Sequence, residues 1–168
     1  MLASVVLQEN AQFAISRYIE ERGRDFFDMT GACGLEGIVA KKKDSRYYFD
    51  RRTRDWIKIK NMEDDDFVIC GYIYKENNMV SLVLGQYEGK TLVYKGHVTL
   101  GVSRREIGLI EKLRCDCSPF LEIPKGNENA VWVRPEMVCT VEYMSRTENG
   151  GYRQPVFKGI REDKTAKE

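Results

Sequence analysis

An α+β segment followed by an all-β barrel of the oligonucleotide-binding (OB) type, with one helix, is the fold class that the order of elements predicts. Three observations carry it. Before residue 61 there are two short helices and two or three strands. The run Asn61-Met62-Glu63-Asp64-Asp65-Asp66 is then a polar, acidic break. After it come three strands, a helix and two strands, the order of the five-stranded Greek-key OB barrel. The expected organisation is an α+β unit over 1–61, the barrel over 62–164, and a tail over 165–168.

Each element has a local cause. Val5-Val6-Leu7 reads as a strand that starts almost at the first residue, as if cut from something longer. Ala11, Ala14, Ile15, Tyr18 and Ile19 repeat at helical spacing, with Asn10 as cap and Gly23 as stop. A second helix is expected over Asp25–Cys33, closed by Gly34. Leu35–Lys42 and Trp56–Lys60 read as strands. In the latter, Ile57 and Ile59 face one way while Lys58 and Lys60 face the other. So few elements give too little core for independence, and 1–61 therefore reads as part of a larger domain. Beyond the break, Phe67–Tyr74, Met79–Gly85 and Thr91–Val98 form a meander that turns at Glu76-Asn77-Asn78 and Glu88-Gly89. Ser103 and Glu106 form a capping box at the start of a helix over Arg104–Leu113. After a loop carrying Pro119, Pro124 and Pro135, the strands Met137–Met144 and Tyr152–Phe157 complete the set.

Composition narrows the function classes. With 42% apolar residues in 168, the chain can build a core. Its longest apolar runs, Phe67–Cys70 and Leu82–Leu84, are too short to cross a bilayer, and Met1–Val5 is not a signal peptide. A membrane partner and secretion are excluded on this reading. The five scattered cysteines suit reduced thiols in a cytoplasmic protein, and Cys115-Asp116-Cys117 has the wrong spacing for a zinc knuckle.

The net charge of +1 carries no global signal for a polyanion, but the charge is unevenly spread. From Lys41 to Lys60, nine Lys/Arg face three Asp, interleaved with Tyr47, Tyr48, Phe49 and Trp56. Such a run reads either as a solvated face or as a seat for a phosphate-rich ligand, with the cations on phosphates and the aromatics on bases. Arg153, Lys158, Arg161 and Lys164 form a second basic group, which reads either as a second phosphate contact or as a frayed tail. Glu36, just before a strand and near the basic run, is a surface charge or a ligand for a divalent metal bridging phosphate oxygens. His97, the one histidine, has no acid or nucleophile nearby in sequence and reads as structural. Neither a Ser-His-Asp or Cys-His arrangement nor a phosphate-binding P-loop occurs.

Three stretches carry a resemblance: Leu35-Glu36-Gly37-Ile38-Val39-Ala40-Lys41, Trp56-Ile57-Lys58-Ile59-Lys60, and Arg153 through Lys164. They resemble motifs IV, V and VI of the ATP-dependent DNA ligases, members of the covalent nucleotidyltransferase superfamily, and most nearly the bacterial repair ligases of end joining. Asp66-Phe67-Val68-Ile69 and Trp132-Val133-Arg134-Pro135 agree as connecting phrases. The resemblance implies that residues 1–61 are the last part of a nucleotidyltransferase domain. It implies an ATP-derived AMP handled with Mg²⁺, and a duplex DNA substrate with a nick or break, sealed through enzyme-AMP and DNA-adenylate. Glu36 would place the metal. Lys58 and Lys60 would hold the AMP phosphate. Arg161, Asp163 and Lys164 would orient the pyrophosphate leaving group, and Lys41, Arg51, Arg52, Arg54, Arg153 and Lys158 would meet DNA. One departure is large: the family's adenylylated lysine lies in Lys-x-Asp-Gly, which occurs nowhere in the 168 residues. The chain is therefore expected to be inactive alone, either as the product of a truncated gene or as half of a split enzyme that works with a complementary N-terminal ligase segment. Cys70, where similar chains often carry glycine, and the acidic Glu63–Asp66 hinge are smaller departures. A non-catalytic DNA-binding OB module, and an RNA ligase or capping-type nucleotidyltransferase, are the alternatives.

Overall fold

The computed structural model describes residues 18–148 and 150–166. The strand expected at Val5–Leu7 and most of the helix expected over 11–19 lie outside them, while Tyr18 and Ile19 are not helical. The chain divides into two compact units, Met1–Asn61 and Met62–Glu168.

In the first unit, helix α1 spans Gly23–Ala32. It ends where a left-handed residue is needed: Gly34 has φ +68°, its N–H donates to Gly31 O, and the Leu35 N–H donates to Thr30 O. Those two bonds satisfy the last helical carbonyls, as in a Schellman cap. Strands β1 (Gly37–Lys41) and β2 (Trp56–Lys60) then pair antiparallel, with Gly37 opposite Lys60, Val39 opposite Lys58 and Lys41 opposite Trp56. Gly37 sits at φ +132°, and a Cβ there would lie 2.1 Å from Ile59 O. Only glycine allows the two strands to meet at this point.

The second unit is the OB barrel. Strand β3 (Glu63–Tyr74) pairs through its first half with β7 (Val138–Tyr143) and through its second half with β4 (Val80–Glu88) and the short β6 (Val131–Trp132). β4 pairs with β5 (Thr91–Val98), and β7 with β10 (Val156–Arg161). A parallel bridge between Leu100 and Val156 joins the two ends of that sheet, and Gly101 makes the seam possible, since a Cβ there would lie 2.3 Å from Phe157 O. β3 is buried on both faces from Phe67 to Ile73. Phe67 and Ile69 pack with Leu82, Leu84, Ile110 and Val141, while Val68 and Cys70 pack on the other side with Val83, Phe120 and Trp132.

Helix α2 (Arg104–Ile110) carries the expected capping box: Ser103 N–H donates to Glu106 Oε2 at 2.7 Å, and Glu106 N–H to Ser103 Oγ. Its last turn, Glu111–Leu113, tightens to 3₁₀. His97 is a structural bridge, its ring bonded to the Tyr94 hydroxyl and to the fully buried Asn127 amide. Among the described residues no helix is long and apolar enough to cross a membrane.

Two expectations need correction. The acidic run is not a break: Glu63–Asp66 are the first residues of β3. Aspartate disfavours strands, but here cross-strand partners on β7 receive the carboxylates. The single strand expected over Tyr152–Phe157 is two, β9 (Tyr152–Arg153), paired with β8 (Ser145–Arg146), and β10. Gln154, at φ +53°, and Pro155, without an N–H, interrupt the ladder between them.

Cys70 and Gly85 form a fitted pair. Burial pushes the Cys70 thiol up to about 12, and a Cβ at Gly85 would sit 2.8 Å from its sulfur. Gly85→Ala should cost about 1–3 kcal/mol by overpacking. Part of that cost, about 0.5 kcal/mol or more, should vanish in a Cys70→Gly background. Urea unfolding of the four-member cycle measures this, and equal costs in both backgrounds would count against the pairing.

Candidate functional site

The β1–β2 register places the first group of candidates. Because Lys58 faces Val39 and Lys60 faces Gly37, both lysines share one surface with Lys41 and Trp56. Lys41 Nζ lies 4.2 Å from the centre of the Trp56 ring, a cation–π contact. The Trp56 indole N–H donates to Ser45 Oγ at 3.0 Å, and Tyr47 packs against the ring at 5.8 Å between centres. The 42–55 loop is tied at its base by Lys42 N–H to Asp55 O. It folds over this surface to leave a concavity of about 390 Å³ lined by Arg46, Tyr47, Tyr48, Arg51, Arg52, Thr53, Trp56 and Lys58. Four cations and three aromatic rings thus converge on a space with no acidic side chain in its lining. Such a surface can receive phosphate and stack a base.

Glu36 and Arg54 are exposed and lie outside this concavity. The backbone of Glu36 is held by the residue directly after Lys60: Asn61 N–H donates to Glu36 O at 3.0 Å. The Asn61 amide also donates to Leu35 O at 2.7 Å. Asn61 therefore fixes the backbone on both sides of the candidate metal ligand, a role that no sequence pattern signalled.

The second group belongs to the barrel. Asp66 Oδ1 accepts from the Thr140 hydroxyl at 2.6 Å, across the β3–β7 pair. Its Oδ2 accepts from Arg161 Nη1 at 3.2 Å and from Lys164 Nζ. Arg161 is gripped on its other side by Asp163, Nε to Oδ1 at 2.8 Å and Nη2 to Oδ2 at 2.7 Å. That guanidinium holds the Asp163 carboxyl down to about 2, and Asp163 in turn raises the Arg161 pKa. Partial burial opposes ionisation of Asp66, but the hydrogen bonds from Lys164 and Thr140 and the nearby cationic charges outweigh it and hold the pKa below 3.8. On the other face of β3, Asp65 accepts from the Tyr143 hydroxyl at 2.6 Å and from Arg146.

The structure therefore brings Lys41, Arg51, Arg52 and Lys58 together in one place, and Arg161, Asp163 and Lys164 in another. Lys158 pairs with Glu142 at 3.2 Å, and Arg153 is exposed on the short β9 strand, opposite Ser145 of β8. Sequence reasoning missed Asp66 and Thr140. The one available signal was the opposition of an acidic run to a basic terminal group, which periodicity cannot convert into a contact.

Comparison with known proteins gives the family and the fold. Residues 75–164 match the family model described as the ATP dependent DNA ligase C terminal region, and residues 1–60 match the ATP dependent DNA ligase domain. The chain is 36% identical to the multifunctional non-homologous end joining protein LigD of Pseudomonas aeruginosa over 165 residues, covering 91% of this chain and 20% of that protein. Against LigD of Mycolicibacterium smegmatis it is 39% identical over 144 residues, 80% of this chain and 19% of that protein. The chain thus spans about a fifth of the length of these curated relatives. Among solved structures, the ligase domain of M. tuberculosis LigD superposes with a TM-score of 0.59 at 32% identity, over 87% of this chain and 50% of that one.

The depressed pKa of Asp66 has a thermodynamic consequence. A carboxyl whose folded pKa lies below its unfolded value stabilises the fold above that unfolded value, near 3.8, and loses the contribution as pH falls through the folded value. Asp66→Asn should therefore be less stable than the wild type at about pH 6, and the gap should narrow steadily below about pH 4. Urea midpoints across that range read it out; a gap that is constant with pH would contradict the ion-pair account.

Proposed function

The chain belongs to the ATP-dependent DNA ligase family, and on that premise we propose that it handles the phosphates in a ligase that joins DNA ends during repair. The observation that carries this reading is the β1–β2 register, which sets Lys58 and Lys60 on one surface beside a basic, aromatic-lined concavity and next to the fixed Glu36 loop. In this reading ATP is the nucleotide substrate, and Lys58 and Lys60 neutralise the phosphate of AMP at each transfer. Glu36 is an exposed carboxylate on a backbone clamped by Asn61, and its hard oxygen donors suit Mg²⁺. When bound there, the ion would supply charge neutralisation at phosphate oxygens.

Duplex DNA with a nick or break is the proposed polymer substrate. Arg51 and Arg52 line the concavity, and Lys41 lies over the Trp56 ring on the same strand surface. Arg54, Arg153 and Lys158 are exposed cations that would add backbone contacts. These positions suit sequence-independent recognition, since charge neutralisation reads no bases. Such a substrate implies work in the bacterial cytoplasm, at the nucleoid. Residues 1–61 act as part of the nucleotidyltransferase domain and 62–164 as its OB partner. The absence of Lys-x-Asp-Gly from the 168 residues fits an AMP acceptor supplied by a complementary N-terminal ligase segment. If no such segment restores joining, the OB module remains as a DNA-binding unit without catalysis.

Four outcomes test the proposal. Incubated alone with labelled ATP and Mg²⁺, the chain should form no AMP adduct that survives denaturation. With a Lys-x-Asp-Gly segment supplied, Lys58→Ala should impair both adenylylation and sealing of a pre-adenylylated nick, whereas Arg161→Ala should impair adenylylation alone. Equal loss in both assays for both variants would overturn the division of labour. Duplex binding should also weaken about a hundred- to a thousand-fold between 50 and 200 mM salt, as expected for roughly four to six phosphate contacts. Replacing Arg51 and Arg52 by Ala should reduce the slope of log affinity against log salt by about 2. Binding that is flat across that range points to a different class of ligand.

A further inference from the structure

We infer that Asp66 is a positioning residue: with Thr140, it aims Arg161 and Lys164 together at one anionic group of the substrate. The inference rests on the proposed reading of Arg161 and Lys164 as phosphate-facing cations, and it assigns a role to a residue that the reading leaves idle.

Asp66 is built into the barrel and not merely near it. It lies on β3 directly opposite Thr140 on β7, and its Oδ1 is taken by the threonine hydroxyl. That bond turns Oδ2 toward the end of β10, where it receives Arg161 Nη1 and Lys164 Nζ at the same atom. Exposure of the side chains rises outward, from 22% for Asp66 to 33% for Arg161 and 44% for Lys164. The anchor is thus the inner group and the cations the outer ones. Two positive side chains so close would otherwise repel, and each has many rotamers to sample. A shared, immobile counter-charge removes both problems.

The donors left over show what the arrangement can do. Arginine has five N–H groups and lysine three. Asp163 engages Nε and Nη2 of Arg161 once each, Asp66 takes Nη1 on Oδ2 at 3.2 Å and on Oδ1 at 3.5 Å, and Asp66 engages Lys164 once. Both head groups therefore retain outward N–H donors whose directions are fixed from behind. An oxyanion with several acceptors, such as a diphosphate, can take donors from both at once.

The test uses the whole chain and inorganic pyrophosphate at low salt, titrated by calorimetry or by the Arg161 side-chain N–H signal. Arg161→Ala should lose binding by about ten-fold or more. Asp66→Asn should weaken it about five-fold, Thr140→Val about two- to three-fold, and Asp66→Glu should stay within about two-fold of the wild type. The Asp66→Asn variant should also lose the distinct, slowly averaging Arg161 Nη1–H signal while the Nε–H signal held by Asp163 persists, a selective loss that a purely global loss of stability would not produce. Binding by Asp66→Asn as tight as or tighter than the wild type, with Arg161→Ala still defective, would show that Asp66 only neutralises charge and would overturn the inference alone. Wild type and Arg161→Ala that bind equally, or not at all, would overturn the phosphate reading of that cluster and the inference with it.

Discussion

The pairing of β3 with β7 is the constraint on which the barrel and its cationic cluster both depend. β3 is long, buried on both faces through its centre, and bulged at Cys70, so its two halves face different neighbours. The first half meets β7 and the second meets β4 and β6. A one-residue slip would turn Asp66 away from Thr140 and drive Phe67 from one packed side to the other. The hydrophobic register of Phe67, Ile69 and Val141 therefore determines where the acidic residues point, and with them the ends of β10.

The charge budget of the chain follows the same division. Within the barrel, acids and bases largely consume each other: Asp66 and Asp163 with Arg161 and Lys164, Asp65 with Arg146, Glu142 with Lys158. Pairs this exposed add little to stability, so their value is directional more than stabilising. In the first unit the basic run has few acids to oppose it, and the concavity beside Lys58 has none in its lining. A near-zero net charge thus conceals one surface suited to a polyanion and another where cations are held in fixed directions. The phosphate handling proposed for this chain would use both kinds, one for attraction and one for geometry.

Local patterns in the sequence settled a large share of this. The alternation in Trp56–Lys60 put both lysines on one side of a strand. Ser103 and Glu106 announced a helix start through a bond that closes within four residues. Gly34 marked a helix end, Thr91–Val98 a strand, and the element order a Greek-key barrel. Each of these signals is carried by neighbours in the chain, where backbone geometry fixes what can meet. The crowding of cations and aromatics between Lys41 and Lys60 likewise marked the stretch that the structure gathers into one basic, aromatic-lined concavity. Tertiary structure alone decided the rest. It turned the acidic run into the start of β3, split the last strand at Gln154-Pro155, folded Arg46 through Arg52 over Trp56, and joined Asp66 to Thr140, Arg161 and Lys164 across 74, 95 and 98 residues of chain. Aspartates are poor strand formers when judged alone, and what reverses that preference is a partner on the adjacent strand. Periodicity has a reach of a few residues, whereas a carboxylate's role is fixed by whichever cation the closed barrel brings to it.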